Sequence, residues 1–575
     1  MKIVIVGGVA GGMSAAARAR RLSEDAEIVV LERGAYVSFA NCGLPYHVAD
    51  EIPRRSSLLV QTPESLRAAL NLDIRTGHDV VAVDRTARTV TARRTTANGT
   101  EDVVLPYDAL VLAPGAATVR PPIGGLDLPQ VHTLRTVPDA DGLRAVVGDG
   151  AKRAVVLGAG FIGIETAEAL RTRGLEVDLV DLAPHVLPPL DTELAALLDA
   201  ELRAHGVRTY VGGAAESIRE VGAGVIEGED ELDAAGPASV EVRLSDGTIL
   251  AADVVVLSVG VRPDSRLAAD AGLELSPQGA IVVDSAQRTS DPFIWAVGDA
   301  TAVRHAITGA VGPVPLAGPA NRQGRRAADA IFGRLSPQRA ARDVLGTAVV
   351  RVFGLTAAMT GASRRSLELA GIEHHTVHVH PGHHAGYFPG AEQIHLTITV
   401  APDGRLLGAQ AVGRAGVDKR IDVLATALAA EMTVDDIAEL ELAYAPPYGS
   451  AKDAVNMAAF VAQNVLDGTL RLWYAEDLDK VTDSALVLDV RSRREFEAGH
   501  VPGAMNVPHT ELRARLDEVL QAADGRPVRV HCASGFRSYL AHRVLAHAGV
   551  DSANLSGGML TLQASRPDVH LVTGA

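Results

Sequence analysis

A chain of 575 residues can hold about three or four domains, and its 47% hydrophobic and 22% charged residues exclude a disordered or fibrous protein. A net charge of −16, from 54 basic and 70 acidic side chains, excludes a general nucleic-acid or anionic-membrane surface but leaves room for a local basic pocket around a phosphorylated ligand. Two cysteines exclude a disulfide scaffold and point to a reducing, cytoplasmic setting, and no apolar run reaches the length of a membrane span.

The chain opens on Lys-Ile-Val-Ile-Val at residues 2–6, which reads as a buried parallel strand because no cleavage-type region of a signal peptide follows. Gly7, Gly8, Gly11 and Gly12 form a glycine-rich turn, residues 13–22 are strong helix formers, and residues 27–32 are a second strand ending on Glu32. Such a unit places a pyrophosphate at a helix N-terminus and the acid on a ribose hydroxyl. The turn departs from Gly-x-Gly-x-x-Gly at Val9, so alone it leaves open an α/β domain without nucleotide. The pattern then repeats. Residues 154–157 are a strand, Gly158-Ala159-Gly160-Phe161-Ile162-Gly163 is a complete fingerprint, a helix runs from 164 to about 173, and residues 177–181 close on Asp181. Two units imply two dinucleotides. An acid at the end of the second favours NADH, with NADPH left open by the flanking loops.

Between and after these units, apolar strands lead to Ala113-Pro114-Gly115 and to Gly260, and a third ends in Gly298-Asp299, where a carboxylate can accept hydrogen bonds from a polyol. Together with the cysteine in Ser38-Phe39-Ala40-Asn41-Cys42-Gly43-Leu44-Pro45-Tyr46, this order resembles the flavoprotein disulfide reductases with two dinucleotide-binding domains. The resemblance covers residues 1 to about 330. It implies FAD around Gly7, Gly8, Ala10, Gly11, Glu32, Arg33 and Ala113, with Gly260, Asp299 and Ala317 from later segments. It implies NAD(P)H around Gly158, Gly160, Phe161, Ile162, Gly163, Glu165 and Asp181. The implied fold class is α/β: two Rossmann-like domains (FAD, 1–115 and 250–332; NAD(P)H, 116–249, inserted into the first), an α+β dimerisation domain at 335–462 and a last α/β domain at 472–575. The dimerisation domain implies a homodimer in which each subunit reaches into its partner's active site.

The last block carries Asp489-Val490-Arg491, Gly499-His500-Val501-Pro502-Gly503-Ala504 and Cys532-Ala533-Ser534-Gly535-Phe536-Arg537-Ser538 in that order, and so resembles a rhodanese, or sulfurtransferase, domain. A loop whose backbone N–H groups converge on a sulfur stabilises a persulfide, and Arg537 adds positive charge, so Cys532 is expected to carry sulfane sulfur.

Many flavin disulfide reductases use two thiols separated by four residues, but here His47 stands five residues after Cys42. Oxidised Cys42 must therefore be a disulfide with a small-molecule thiol, or a sulfenic acid. The stretch Ser-Phe-x-Asn-Cys-Gly-Leu-Pro-Tyr and the turn Gly-Gly-Val-Ala-Gly-Gly-Met-Ser resemble coenzyme A disulfide reductases. That resemblance implies coenzyme A contacts at Ser14, Arg18, Arg21, Ser38 and Asn41. A lysine that some relatives carry has no counterpart near Leu70-Asn71. The segments 384–390 and 443–448 resemble tyrosine-bearing family segments, which implies Tyr387 and Tyr444 as groups that protonate or hold a leaving thiolate, and Lys452 as a phosphate contact.

The expected activity is FAD-dependent reduction by NAD(P)H of coenzyme A disulfide, or of a coenzyme A persulfide or polysulfide, through Cys42, coupled to sulfane sulfur at Cys532. One alternative is an NADH oxidase or peroxidase cycling Cys42 through a sulfenic acid; such enzymes place a histidine where this chain has Ala10. A second, of another class, is a redox sensor without turnover, against which the intact second fingerprint speaks. Histidines at 374, 375, 378, 380, 383 and 384 look like a metal cluster, but only His378 and His380 share a strand face and no Cys or carboxylate completes a set, so no metal is expected and proximity to the active site is the preferred reading.

Overall fold

The computed structural model describes residues 1–96, 99–221 and 240–574. They form two compact units, one of residues 1–184 and 205–346, the other of residues 185–204 and 347–575. The first unit is built on two parallel five-stranded sheets. In the first sheet the strand Lys2–Val6 lies between Glu27–Glu32 and Ala109–Leu112, with Asp73–Thr76 at one edge and Ile294–Ala296 at the other. Its central strands are continuous apolar runs because both faces are covered. Since Ile294–Ala296 pairs with Ala109–Leu112 while Ala268, Leu273 and Ile281 still pack on this first sheet, a segment before them is an insertion. That insertion builds the second sheet, in which Arg153–Leu157 pairs with Glu176–Asp181 on one side and Val254–Leu257 on the other.

Val254–Leu257 corrects the expected boundary at residue 250. Ala154 lies in register with Val254 in the nicotinamide-type sheet, so this strand belongs to the inserted domain. An apolar strand ending on glycine reads the same in either sheet, and only the pairing distinguishes them. Residues 222–239 of the expected 116–249 segment lie outside the described residues.

The two glycine turns obey one rule. Gly7 and Gly158 both have φ +102, in the left-handed region. A Cβ on Gly12 would lie 1.9 Å from the Gly7 carbonyl oxygen, and one on Gly163 would lie 1.7 Å from that of Gly158. Each helix is thus laid directly on the preceding turn. The middle position is different: Gly160 has φ −75, and nothing lies within 4 Å of a Cβ placed there. Its counterpart Val9 has φ −113, open to any residue, which explains why the first fingerprint tolerates valine. The first helix spans Ala10–Leu22, beginning earlier than the expected 13 because close packing overrides the poor helix propensity of Gly11 and Gly12.

In the second unit, five antiparallel strands in the order 348–352, 355–361, 406–413, 394–400, 375–379 pack with the helices Val417–Ala429 and Ala454–Leu466. A parallel sheet follows in the order 472–473, 552–555, 528–531, 486–489, 505–506. The helix Thr192–Ala204 belongs to this unit despite its place in the sequence. Among the described residues, no helix is long and apolar enough to cross a membrane.

Gly12→Ala and Gly163→Ala are each expected to destabilise the first unit by about 3 kcal/mol through overpacking, whereas Gly160→Ala, which meets no atom and only loses a preferred N-cap residue, costs less than about 1 kcal/mol. Thermal unfolding of the three variants checks this.

Candidate active site

Cys42 sits in a single 3₁₀ turn, Asn41–Gly43, that feeds the helix Leu44–Val48, and it is exposed and free. The loop before it hangs from the first glycine turn. Ser38 donates its backbone N–H to the Gly8 carbonyl at 2.9 Å and adopts φ +47, and Ala40 donates to the Leu58 carbonyl at 2.8 Å. Burial pushes the Cys42 thiol up, and the charges of Glu165 and Asp299 push the same way, against a pull from a backbone hydrogen bond. In the chain by itself, desolvation and the two carboxylates thus oppose the thiolate. The structure brings Cys42, Glu165 and Asp299 together from a loop, a helix of the inserted domain and a strand end of the first. Tyr46 donates to Glu165 at 2.9 Å. His47 is buried, with Nδ1 against the Ile52 carbonyl at 2.5 Å, so the group five residues after the thiol is a packing group.

The dinucleotide-type residues form a repeated carboxylate clasp. Glu32 accepts the N–H of Gly8 and of Gly34, both at 2.7 Å, and Asp181 accepts those of Ala159 at 2.5 Å and Ala183 at 2.7 Å. The helices beginning at Ala10, Phe161 and Ala317 have no side-chain cap, so their first N–H groups are free for phosphate or carbonyl oxygens. The carbonyl of Ala113 lies under Gly7, Arg33 is paired with Asp264, Gly260 accepts from Val119 at 3.0 Å, and Ile162 is 40% exposed at the second turn. Burial raises the Asp299 carboxyl, opposed by Arg135. Arg135, whose own pKa burial lowers with help from Arg33, is a cation the sequence reading missed, because a single arginine in a loop carries no motif. Open helix starts, a half-buried carboxylate for a polyol and a half-buried cation fit FAD in the first fold, and the second clasp fits a nicotinamide dinucleotide.

The expected coenzyme residues are less uniform than their spacing suggests. The helix Ala317–Ile331 approaches the first helix so closely that a Cβ on Gly324 would lie 2.1 Å from the Gly11 carbonyl oxygen. Across that contact Ser14 donates to Asn321 at 2.5 Å and Arg18 pairs with Asp329 at 2.6 Å. Arg18 is therefore largely committed to the protein, while Arg21 is exposed and Asn41 lies exposed beside Cys42. In the second unit the phenols of Tyr387 and Tyr444 share a hydrogen bond of 3.0 Å and are 76% and 47% exposed, and that bond raises the pKa of Tyr387. Lys452 is exposed.

Cys532 follows the strand Val528–His531 and is buried. Its Sγ accepts the Gly535 N–H and the Ser538 hydroxyl, each at 3.2 Å. Gly535, at φ +94, turns the loop into the helix Phe536–His547. Behind the loop, Met559 donates to the Cys532 carbonyl at 2.9 Å, and the positive φ of Gly558 brings its backbone against Ala533. Arg537 touches Cys532 and binds both oxygens of Glu495, at 2.8 and 2.7 Å.

The histidine segment divides: His384 packs against Phe388, next to Tyr387, while His378 and His380 turn elsewhere. His378 bridges Glu193 at 2.7 Å and Ser556 at 2.8 Å, and His380 meets Thr561 at 3.0 Å, so both face the C-terminal sheet rather than the tyrosine pair. A carboxylate does partner His378, but it comes from the helix Thr192–Ala204, invisible to local spacing. Burial pushes Glu193 up, yet the hydrogen bond and charge of His378, with the charge of Arg364, hold it down at about 2. Among the described residues, no group of three or more His, Cys, Asp or Glu is placed to hold a metal.

A thiol set against two dinucleotide folds, with a cysteine loop on a separate sheet, defines a nucleotide-dependent thiol–disulfide oxidoreductase. The chain belongs to the pyridine nucleotide-disulphide oxidoreductase family, whose model matches residues 1–324 and whose dimerisation-domain model matches residues 347–455; a rhodanese-like domain matches residues 472–565. Within that family it is a homologue of coenzyme A disulfide reductases. That of Staphylococcus haemolyticus is 33% identical over 466 residues, 81% of this chain and 100% of the relative. The solved structure of reduced Bacillus anthracis CoADR-RHD is 41% identical with a TM-score of 0.93, covering 99% of each chain. A NAD-dependent persulfide reductase from A. fulgidus is 37% identical with a TM-score of 0.87, covering 98% of this chain and 100% of its own. A water-forming NADH oxidase from Lactobacillus brevis is 26% identical with a TM-score of 0.75, covering 82% of this chain and 99% of its own.

Glu165→Gln is expected to lower the pKa of the Cys42 thiol, because it removes one nearby negative charge. The rate of Cys42 alkylation against pH, followed on its own peptide by mass spectrometry, checks this: the rising limb moves to lower pH in the variant.

Proposed function

We propose that the protein reduces sulfur–sulfur bonds on coenzyme A with electrons from NAD(P)H, through a mixed disulfide between Cys42 and the coenzyme. One observation carries this reading: Cys42 is a free, exposed thiol, the group five residues beyond it is the buried, hydrogen-bonded His47, and the chain's other cysteine lies buried in a different sheet. A second thiol must then arrive with the substrate. The names of the relatives support coenzyme A as its carrier. FAD, when bound, supplies the exchange between a hydride and a pair of thiol electrons.

The chain's residues divide the remaining work. Deprotonated Cys42 attacks the substrate sulfur–sulfur bond, forms a disulfide with coenzyme A and expels the other half as thiolate or hydrosulfide. Two electrons returned to that disulfide release coenzyme A and restore the thiolate. The sums balance: NADH, H⁺ and coenzyme A disulfide give NAD⁺ and two coenzyme A thiols, and NADH, H⁺ and coenzyme A persulfide give NAD⁺, coenzyme A thiol and hydrogen sulfide. A nucleotide with several phosphates brings negative charge to a site whose carboxylates oppose the thiolate, so cations must hold it. Arg21, exposed and bonded among the described residues only to the Ala17 carbonyl of its own helix by Nε, can turn to that role, while Arg18 sets the helix that carries Ser14 through its pair with Asp329. Ser38 and Asn41 lie on the thiol's own loop. In a homodimer, Tyr387 and Tyr444 act on Cys42 of the partner subunit, protonating or holding the leaving thiolate, and Lys452 meets a phosphate. Their shared hydrogen bond and exposure suit donors that a second subunit covers. Cys532 carries sulfane sulfur to or from this centre.

Two measurements test the proposal. Intact mass of the purified protein is expected to show an adduct of coenzyme A size on Cys42 that reduction removes. A single added oxygen there instead would transfer the reading to the oxidase or peroxidase type. Cys42→Ser is expected to lower NADH-dependent reduction of coenzyme A disulfide by at least about 10³-fold, and Tyr387→Phe by about 10- to 100-fold, both in steady-state assays of thiol release.

A further inference from the structure

Charges around the Cys532 sulfur come in opposed pairs. Arg537, the cation against Sγ, is gripped by both carboxylate oxygens of Glu495 at 2.7 and 2.8 Å. Glu495 is itself fixed, since it accepts the N–H and the hydroxyl of Ser492 at 3.0 and 2.7 Å in the capping box of the helix Arg493–Glu497. The hydrogen bonds from Arg537, then those from Ser492, hold its carboxyl down at about 2, so it stays charged in any ordinary buffer. Under the loop, Arg491 spans both oxygens of the buried Asp489 at 2.6–3.0 Å. His531, preceding the cysteine, is held neutral by burial, at about 4. What remains for Sγ is the neutral donor pair of the Gly535 N–H and the Ser538 hydroxyl.

We propose that Glu495 sets the donor specificity of the Cys532 loop: by cancelling the charge of Arg537 it admits persulfides of low charge and disfavours dianionic sulfane donors such as thiosulfate. The inference rests on the reading of Cys532 as a sulfur carrier and deepens it. With a persulfide, deprotonated Sγ attacks the outer sulfur of R–S–SH. The new bond gives Cys–S–SH, the old S–S bond breaks, and R–S⁻ departs with its electron pair to take a proton from water. With thiosulfate, the same attack gives Cys–S–S⁻ and releases sulfite with two negative charges. Both are transfers of neutral sulfur without net oxidation. They differ in the charge that enters and leaves. A dianion approaching a thiolate needs an uncompensated cation, and Glu495 occupies the cation that is there. A neutral or singly charged persulfide needs only dipoles, which Gly535 and Ser538 supply.

The test uses the full-length flavin-loaded protein. Second-order rate constants for the gain of one sulfur on the Cys532 peptide are measured by mass spectrometry with cysteine persulfide, at most singly charged overall, and with thiosulfate, for the parent, Glu495→Gln and Glu495→Asp. Glu495→Gln keeps an oxygen for the Ser492 cap and removes the charge, so the thiosulfate-to-persulfide rate ratio is expected to rise about tenfold. Glu495→Asp keeps the charge and is expected to keep the parental ratio even if both rates fall. A ratio unchanged or lowered in Glu495→Gln, or raised equally in both variants, overturns the inference and leaves the sulfur-carrier reading standing. A parent that gains sulfur from neither donor overturns that reading and the inference with it.

Discussion

The first helix rests backbone to backbone on the turn that starts it, and on its other side it meets a second helix with the same closeness. The absence of a Cβ at Gly12 and at Gly324 makes both contacts, with the carbonyls of Gly7 and Gly11. Much of the first unit follows from this. The turn at Gly7 and Gly8 is held open for a nucleotide, Glu32 can clasp its amide, and Ser38 can hang the cysteine loop from the Gly8 carbonyl. The same approach brings Asn321 and Asp329 to Ser14 and Arg18. One steric condition thus positions the glycine turn, the thiol loop and the face of the first helix that carries Ser14 and Arg18 together.

The two cysteines stand in opposite electrostatic company. Cys42 is exposed among carboxylates that oppose its ionisation, so its reactivity depends on what binds beside it. Cys532 is buried among neutral donors and charges already paired. The first arrangement opposes a thiolate unless cationic or dipolar groups are added beside it, the second shields its sulfur from solvent.

Local pattern made the strands around the two fingerprints legible: 2–6 and 27–32 coincide with the observed Lys2–Val6 and Glu27–Glu32, and 154–157 and 177–181 fall within Arg153–Leu157 and Glu176–Asp181. It failed where a property is set by pairing across the chain. Val254–Leu257 has the composition of a strand in either sheet, and only its register with Arg153–Leu157 places it. Arg18 and Arg21 look equivalent on a helix face, but Asp329, far along the chain, distinguishes them. His378 lacked a carboxylate partner within its own segment and found one in Glu193. Arg135 and Glu495 left no trace as site residues because neither belongs to a spacing that chemistry alone requires. The cysteine loops were readable because a nucleophile and its donors must lie within a few residues of each other; the charges that tune them need not.

The helix Thr192–Ala204 sits, by sequence, just past the second fingerprint, yet Glu193 is buried between His378 and Arg364 in the other compact unit. The chain leaves one unit, contributes a helix to the other, and returns. During synthesis this helix emerges long before the strand of His378 and longer still before Ser556, so it must wait, unpartnered on one face, until most of the chain exists. The second unit is therefore not a contiguous piece, and its completion is tied to the arrival of the last domain.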